Sequence, residues 1–278
     1  MNKKENLDIQ GHRGCRGLYP ENTIQAFEAA MAMDVTTLEL DLAISADRKV
    51  VVSHEPFFNH EISTKPDGTT ITKEEEKSHN LFLLNYDEIS KYDVGKKAHP
   101  RFGDQAKIPA VKPLLSEVYA SAIRHRELNP GPAFKYNIEI KSKPAWDSTY
   151  YATIDDFCNL VIEVVDRYDA IDDTYIQSFD VRALEYIRRI RPEIKLVYLV
   201  ESEEDMEKSM ALLSFIPDVY SPYFKLINDE TLSVCKEKNM KLIPWTVNSY
   251  ADIEHMIVKG VDGIISDYPD RVIEVYRK

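Results

Sequence analysis

The chain has few cysteines, no long apolar run and no excess of basic residues. Its 278 residues include only three cysteines, Cys15, Cys158 and Cys235, which lie far apart and form no CxxC pair. This scatter argues against a disulfide framework and against a cysteine zinc site. No stretch of about 18 consecutive apolar residues is present, which is the length that a membrane-spanning helix needs. We therefore predict no membrane span.

Positive charge is also scarce. Lysine and arginine number 35 against 47 aspartate and glutamate, and the formal net charge is -12. Nucleic-acid binding requires clustered cations, yet the longest basic runs are the pairs Lys96-Lys97 and Arg188-Arg189. We predict no nucleic-acid partner. The sequence gives no indication of oligomeric state.

A signal peptide is not recognisable. Residues 1–10 are polar and lead directly into a predicted strand, which leaves no room for the apolar segment of a leader. The sequence therefore predicts a cytoplasmic protein, although a periplasmic protein whose leader had been removed would look the same.

What the chain does contain is a regular alternation of strands and helices, which indicates a parallel sheet. The predicted strands are residues 7–10, 37–45, 136–141, 174–178, 195–200, 218–221, 241–247 and 263–266. The predicted helices are residues 22–33, 113–127, 154–168, 181–190, 205–213, 229–238, 250–258 and 271–276. Eight such units predict an α/β protein with one (β/α)8 TIM barrel over residues 1–278. A doubly wound open sheet is the alternative, but no GxGxxG motif follows the first strand.

The alternation is interrupted once, after the second strand. Residues 49–54 form an additional Val-rich strand, and from Pro56 to about Lys107 proline, glycine, lysine and glutamate dominate. A structureless loop of this length inside a compact domain would be unusual. We therefore predict a partly ordered insertion at about residues 56–107, on the rim of the barrel.

Chemically informative residues stand at the ends of the predicted strands, where TIM barrels build their active sites. They are His12, Arg13, Glu39, Asp41, His54, Glu139 and Lys141. Glu39 and Asp41 point to the same face of one strand, about 6.6 Å apart, and would repel by roughly 2.5 kcal/mol at an effective dielectric near 20. One divalent cation, Mg²⁺ or Ca²⁺, held by Glu39, Asp41 and Glu139 explains this cluster better than a solvated acidic rim does.

Charge counting supports the cation. The three carboxylates with Arg13 and Lys141 leave the pocket at one negative charge, which would repel an anionic ester, and a divalent ion reverses the sign. His12 and His54 are the acid–base candidates, because a histidine can fill either role at neutral pH. The remaining histidines, His60, His79, His99, His125 and His255, are predicted to lie at the surface.

A few further residues have two possible roles. Asn22 or Thr23 is predicted to cap the first helix, and Glu21 could either cap it or bind a ligand. Trp245 and Phe179 follow predicted strands and could either form the wall of a substrate pocket or fill the top of the barrel.

Taken together, these motifs closely resemble the glycerophosphodiester phosphodiesterases. The resemblance extends from Gly11 to Pro269 and includes the segments His12-Arg13-Gly14, Pro20-Glu21-Asn22-Thr23, Glu39-x-Asp41, Val52-Ser53-His54, Glu139-x-Lys141, Gln177-Ser178-Phe179, Trp245-Thr246-Val247-Asn248 and Asp262-Gly263-Ile264-Ile265-Ser266-Asp267. The segment from Pro56 to Lys107 looks like an insertion typical of that family. One departure is Glu55, where the family usually has Asp after the second histidine.

The resemblance implies a TIM barrel that hydrolyses glycerophosphodiesters to glycerol 3-phosphate and an alcohol. The family's metal ligands correspond to Glu39, Asp41 and Glu139, its catalytic histidines to His12 and His54, and its phosphate-contacting cations to Arg13 and Lys141. As a hypothesis, His12 accepts a proton from the attacking oxygen and His54 gives one to the leaving alcohol. Water and the substrate's own glycerol 2-hydroxyl are both possible nucleophiles.

Two other functions fit parts of the pattern. A phospholipase C/D-like enzyme acting on membrane lipid would be expected to carry a basic or apolar membrane-contacting surface, which an acidic chain disfavours. A non-catalytic phosphodiester-binding protein would be signalled by loss of a histidine or a metal carboxylate, and all five residues are present.

Overall fold

A computed structural model describes residues 6–202 and 206–278 of the chain. Within these residues the strands are β1 (Asp8–Gly11), β2 (Thr37–Ile44), β3 (Val50–Val52), β4 (Lys135–Ile140), β5 (Thr174–Ser178), β6 (Lys195–Val200), β7 (Val219–Pro222), β8 (Lys241–Leu242) and β9 (Gly263–Ser266). The helices are α1 (Ile24–Ala32), α2 (Tyr86–Ile89), α3 (Leu115–Leu128), α4 (Ile154–Arg167), α5 (Val181–Ile190), α6 (Met206–Met210), α7 (Asp229–Glu237), α8 (Tyr250–Lys259) and α9 (Pro269–Arg277).

The strands form a nearly closed parallel barrel. Their order is β8-β7-β6-β5-β4-β2-β1-β9, and only β3 pairs antiparallel, with β2. β8 and β9 stand at the two ends of this order. Backbone hydrogen bonds join the chain at these two strands, from the Asp262 amide to the Leu242 carbonyl at 2.8 Å and from the Ile265 amide to the Pro244 carbonyl at 3.0 Å. The predicted (β/α)8 barrel is confirmed, with β3 as the additional strand.

Several predicted boundaries differ from the observed ones. Strand β8 ends at Leu242 instead of continuing to residue 247, because Pro244 has no amide hydrogen to donate to a neighbouring strand. Helix α1 begins at Ile24, where the Thr23 side chain accepts from the Ala26 amide, which confirms Thr23 as the cap. Helix α6 is shorter than predicted, and residue 205, its predicted start, lies outside the described residues, as do residues 1–5.

Among the described residues, no helix is both long and apolar enough to cross a membrane.

The predicted insertion has a small apolar core of its own. Phe58, Ile71, Leu81, Ile89 and Val94 are buried there together with Ala43 and Val51 of the β2–β3 hairpin. The insertion thereby covers the edge of the barrel next to the end of β3. Its His99 is only 5% exposed, so the prediction that this histidine lies at the surface is wrong.

Inside the barrel, one half is apolar and the other is polar. Tyr175, Val197, Val219, Ile243 and Ile265 form the apolar half. In the polar half, the Asn137 side-chain amide donates to Gln10 at 2.8 Å and to Gln177 at 3.0 Å. This hydrogen-bonded layer lies directly below the acidic residues of β2 and β4 and fixes the side chains that approach them.

The turn after β1 requires glycine at position 14. Gly14 has a φ of +87°, and a Cβ there would come within 2.7 Å of the Ala26 backbone and side chain. Gly68 has almost the same φ, +85°, but nothing lies within 4 Å of the Cβ position. A side chain at either glycine would strain the backbone, but only at Gly14 would it also overlap other atoms. Substituting both glycines therefore separates the cost of backbone strain from the cost of steric overlap.

We expect Gly14→Ala to lower the free energy of unfolding by about 3 kcal/mol, because α1 would have to move, and Gly68→Ala by only about 1 kcal/mol. Urea denaturation of the two variants measures both values. Equal losses would show that Gly14 is needed only for its backbone conformation.

Candidate active site

Three buried carboxylates converge at the carboxyl end of β2 and β4. Glu39 and Asp41 lie on β2, and Asp41 is the register partner of Glu139 on β4. One oxygen from each of the three side chains can be chosen so that all lie within 4.8 Å of one another. The structure thus brings together the three acids that were predicted to bind a cation, and all are almost fully buried.

The acids are held by neutral donors as well as by cations. Glu39 accepts from the Gln177 side chain at 2.6 Å through one oxygen and from the Arg13 backbone amide at 2.8 Å through the other. Asp41 accepts from the Asn22 side chain at 2.9 Å. These contacts fix each carboxylate in position before any ligand binds.

The electrostatics of the three acids favour an additional positive charge. Burial and the neighbouring Asp41 raise the pKa of Glu39 well above its ordinary value. Burial also raises the pKa of Glu139 to about 7, against the opposing effect of Lys141. Burial alone would raise the pKa of Asp41 too, but Arg13 and the other positive neighbours together outweigh burial and lower that pKa far below the ordinary range. Without a cation, two of the three acids therefore resist ionisation.

The imbalance extends beyond the five charges counted from the sequence. Direct contacts link the trio into a larger network with six carboxylates, Glu21, Glu39, Asp41, Glu55, Glu139 and Asp267, and three cations, Arg13, Arg16 and Lys141. With every carboxylate ionised and both histidines neutral, these nine groups would carry a formal excess of three negative charges. The excess of one counted from the sequence covers only the trio with Arg13 and Lys141, and the neighbouring groups add to it.

His12 follows β1 and is paired with Asp267, which follows β9. Its Nδ1 lies 2.6 Å from Asp267 Oδ1, and its Nε2 lies 3.9 Å from Glu39 Oε2. Burial lowers the pKa of His12 to about 4. His12 is therefore neutral at pH 7. Its Nδ1 proton donates to Asp267, and Nε2 presents a lone pair toward the acidic trio.

His54 follows β3 and is paired in the same way with Glu55, whose Oε1 lies 2.7 Å from Nδ1. The longer glutamate side chain thus reaches the histidine directly. The other ring nitrogen, Nε2, lies 3.0 Å from the Lys141 ammonium. Burial lowers the pKa of His54, and Arg13 and Lys141 lower it further.

The two predicted phosphate-contacting cations are both tied to acids. Arg13 donates from Nη1 to Glu21 at 2.6 Å, and its Nε lies 3.1 Å from Asp41 Oδ2. Lys141 lies 3.0 Å from Glu139 and 3.8 Å from Asp41. Glu21 is therefore the ion-pair partner of Arg13, not a helix cap.

A cavity of 670 Å³ opens onto these groups. Its polar side includes both histidines, and its other side is formed by Phe179, Leu199, Leu212 and Trp245. The rings of Phe179 and Trp245 meet edge to face, with their centres 5.5 Å apart. The structure thus places both predicted aromatic residues on the cavity wall.

Four polar residues of the site were not assigned a contact from the sequence: Arg16, Asn22, Gln177 and Asp267. Asp267 directly follows the apolar strand β9, and Gln177 is a polar residue near the end of β5, so a polar residue at a strand's carboxyl end was the available signal. Their partners, His12 and Glu39, lie 255 and 138 positions away along the chain. Only the closed barrel brings such residues together.

Comparison with known proteins agrees with this architecture. The family model for the glycerophosphoryl diester phosphodiesterase family matches residues 12–271. A glycerophosphodiester phosphodiesterase from Caldanaerobacter subterraneus is 32% identical over 97% of this chain and 98% of the relative.

Two solved structures share the fold. A protein from Silicibacter pomeroyi assigned to the glycerophosphoryl diester phosphodiesterases superposes with a TM-score of 0.88 at 28% identity, covering 100% of this chain and 94% of that one. An Oleispira antarctica phosphodiesterase, solved in complex with its product sn-glycerol-3-phosphate, has a TM-score of 0.76 at 19% identity, covering 98% and 97%.

The match extends over nearly the whole chain, and both chains are covered almost completely in each comparison. The chain therefore belongs to the glycerophosphoryl diester phosphodiesterase family, a family of phosphoric diester hydrolases.

Proposed function

We propose that the protein hydrolyses glycerophosphodiesters to glycerol 3-phosphate and an alcohol, using one divalent cation and two histidines. A single observation carries the proposal. The buried trio Glu39, Asp41 and Glu139 opens into the same cavity as two histidines that are each paired with a carboxylate. This combination fits a metal-assisted attack on an anionic ester.

The donor set fits Mg²⁺ or Ca²⁺. Glu39, Asp41 and Glu139 supply only hard oxygen ligands, and a bound dication would favour the ionised forms of Glu39 and Glu139, whose pKa values are raised without it. When bound there, the cation would neutralise charge on the phosphoryl group and lower the pKa of a coordinated hydroxyl. The carboxylates alone do not select between the two metals.

The two histidines take different proton-transfer roles. His12, neutral and fixed by Asp267, presents Nε2 as the base for the attacking oxygen. Lys141 donates to Nε2 of His54 in the structure, so His54 is neutral there. When a substrate phosphate accepts from Lys141, Nε2 is released, takes up a proton from solvent in the open cavity and gives that proton to the leaving alcohol. Glu55 stabilises that protonated ring.

Arg13 and Lys141 bind the phosphate, and the aromatic wall receives the other end of the diester. Both cations lie within 4 Å of the metal-binding acids, so a phosphate bound between them would also face the cation site. Phe179 and Trp245 line the cavity and present ring faces and edges to the alcohol. Arg13 and Lys141 therefore determine binding of the group common to all substrates.

The assay is release of glycerol 3-phosphate, coupled to glycerol-3-phosphate dehydrogenase, from a panel of choline, ethanolamine, glycerol and inositol diesters. We expect metal-dependent turnover of at least one of them. Release of the head group from lysolipid vesicles, with no glycerol 3-phosphate from any of the diesters, would indicate the lipid-acting alternative. Saturable binding of the diesters without product would indicate a non-catalytic binding protein.

The nucleophile can be identified with the same substrates by ³¹P NMR in ¹⁸O-labelled water. Direct attack by water forms no cyclic phosphate, and ¹⁸O from labelled solvent enters the product in that single step. Attack by the glycerol 2-hydroxyl forms a cyclic phosphate first, which ³¹P NMR detects as a transient.

The pH dependence of stability gives a prediction for Glu139. Its pKa in the folded, metal-free protein is raised to about 7, above the ordinary 4.5. The proton favours folding, so the stabilising contribution of Glu139 is complete below pH 4.5 and is lost as the pH rises through 7. We expect Glu139→Gln, measured in EDTA, to become more stable than wild type by roughly 1–3 kcal/mol between pH 4.5 and 8. A constant difference over this interval would contradict the raised pKa.

A further inference from the structure

Phe102 of the insertion packs against Arg16, and Arg16 in turn donates to Asp267, the partner of His12. We infer that Arg16, held by Phe102 of the insertion, is a positioning residue that fixes His12 through Asp267. The inference rests on the proposed function, in which His12 acts as the base. It gives the insertion a part in the reaction besides covering the edge of the barrel.

Arg16 holds Asp267 by two bonds. Its Nε donates to Asp267 Oδ1 at 2.9 Å and its Nη2 to Oδ2 at 3.2 Å. His12 Nδ1 meets the same Oδ1 at 2.6 Å, and Asn248 donates to Oδ2 at 2.7 Å. A two-point contact with a planar guanidinium prevents the carboxylate from rotating. The orientation of the His12 ring therefore depends on Arg16.

Arg16 is already occupied by protein groups. Its third nitrogen, Nη1, lies 3.7 Å from Glu21 Oε2, so each of its three nitrogens faces a carboxylate oxygen. The residue is 8% exposed at the cavity edge. We assign it to holding Asp267 because two of its three nitrogens donate to that carboxylate.

The insertion supplies the surface on which Arg16 rests. The guanidinium carbon lies 5.0 Å from the centre of the Phe102 ring, and the Gln105 side chain donates to the Arg16 carbonyl at 2.6 Å. The His99 ring packs against Phe102 at 4.7 Å, with its Nε2 3.7 Å from Glu21. Residues 99–105 thus cover both the side chain and the backbone of Arg16.

The chain offers a matched control at a distance from the cavity. Arg188 also pairs with an aspartate, Asp218, at 3.0 Å and also lies over a phenylalanine ring, Phe215, at 4.6 Å. None of these three residues lines the cavity. Arg188→Met and Phe215→Leu therefore remove the same kinds of contact without affecting His12.

The experiment compares Arg16→Met, Arg16→Lys and Phe102→Leu with these controls. We expect kcat to fall about 100-fold in Arg16→Met, with KM within threefold of wild type, because ring misplacement affects the reaction more than ground-state binding. Arg16→Lys keeps the charge without the two-point contact and should lose about 10-fold, and Phe102→Leu about fivefold. Arg188→Met and Phe215→Leu should stay within twofold.

An activity-independent measurement accompanies the kinetics. ¹⁵N NMR of histidine-labelled protein should show His12 as a single Nδ1–H tautomer in wild type and in Phe215→Leu, and as a mixture in Arg16→Met and Phe102→Leu. This readout stays decisive if a variant is less stable or if wild type turns over no diester, so failure of the proposed function is distinguished from failure of the inference. A single tautomer in all proteins, a kcat within twofold of wild type in Arg16→Met, or a loss confined to KM would overturn the inference.

Discussion

Replacing His12 with alanine is expected to reduce kcat on a glycerophosphodiester by about 10³-fold, because the proposed general base is lost while the three carboxylates of the proposed cation site remain. The same loss is expected for His54→Ala, which removes the acid. Neither change should greatly alter the melting temperature, since both rings line a cavity and not the main apolar core. Steady-state kinetics with thermal melts measure both effects.

His255→Ala is the matched control, because His255 is exposed on α8 and contacts no residue of the site. The two catalytic roles can be separated with a p-nitrophenyl diester, whose leaving group departs without a proton. His54→Ala should recover most of its activity on that ester, and His12→Ala should not. A variant that keeps activity within tenfold of wild type on the natural substrate removes its histidine from the mechanism.

Removal of divalent cations is expected to abolish turnover and to lower the melting temperature. Glu39, Asp41 and Glu139 offer oxygens within 4.8 Å of one another, and unit charges at that spacing repel by about 3.5 kcal/mol at an effective dielectric near 20. A bound dication relieves this repulsion and stabilises the folded state by mass action. Activity and melting temperature measured in EDTA, then with added Mg²⁺ or Ca²⁺, should fall and recover together.

Asp41→Asn should reproduce the effect of EDTA, with turnover reduced by at least about 10³-fold and little further rise in melting temperature when Mg²⁺ or Ca²⁺ is added. Asp166→Asn is the control, since Asp166 forms only a surface ion pair with Arg191. Full activity in EDTA, with the protein free of bound metal, would contradict the assignment of the three carboxylates.

The sequence predicted the barrel and the acidic trio because both depend on local pattern. Alternation along β2 puts Glu39 and Asp41 on one face, and parallel pairing then places Glu139 beside Asp41. Strand ends were less predictable. Pro244 interrupts a segment that otherwise reads as strand, so β8 is only two residues long.

The supporting residues of the site could not be predicted because their partners are distant in sequence. The Asp267–His12 pair forms only once β9 lies beside β1, and no neighbouring residue in the sequence identifies the partner of either one. Asn22 was a cap candidate, but its side chain hydrogen-bonds to Asp41 instead, and Thr23 takes the cap. His99 looked like a surface residue because the insertion has no periodic pattern, and folding of that segment over the barrel buries it.

The most direct measurement is an anomalous-difference map from crystals grown with Mn²⁺ in place of Mg²⁺. We expect one strong peak within coordination distance of Glu39, Asp41 and Glu139, with the rings of His12 and His54 facing the cavity that contains it. A map without a peak there, or a peak bonded to other groups while the three acids point apart, would contradict a single cation as the centre of the reaction.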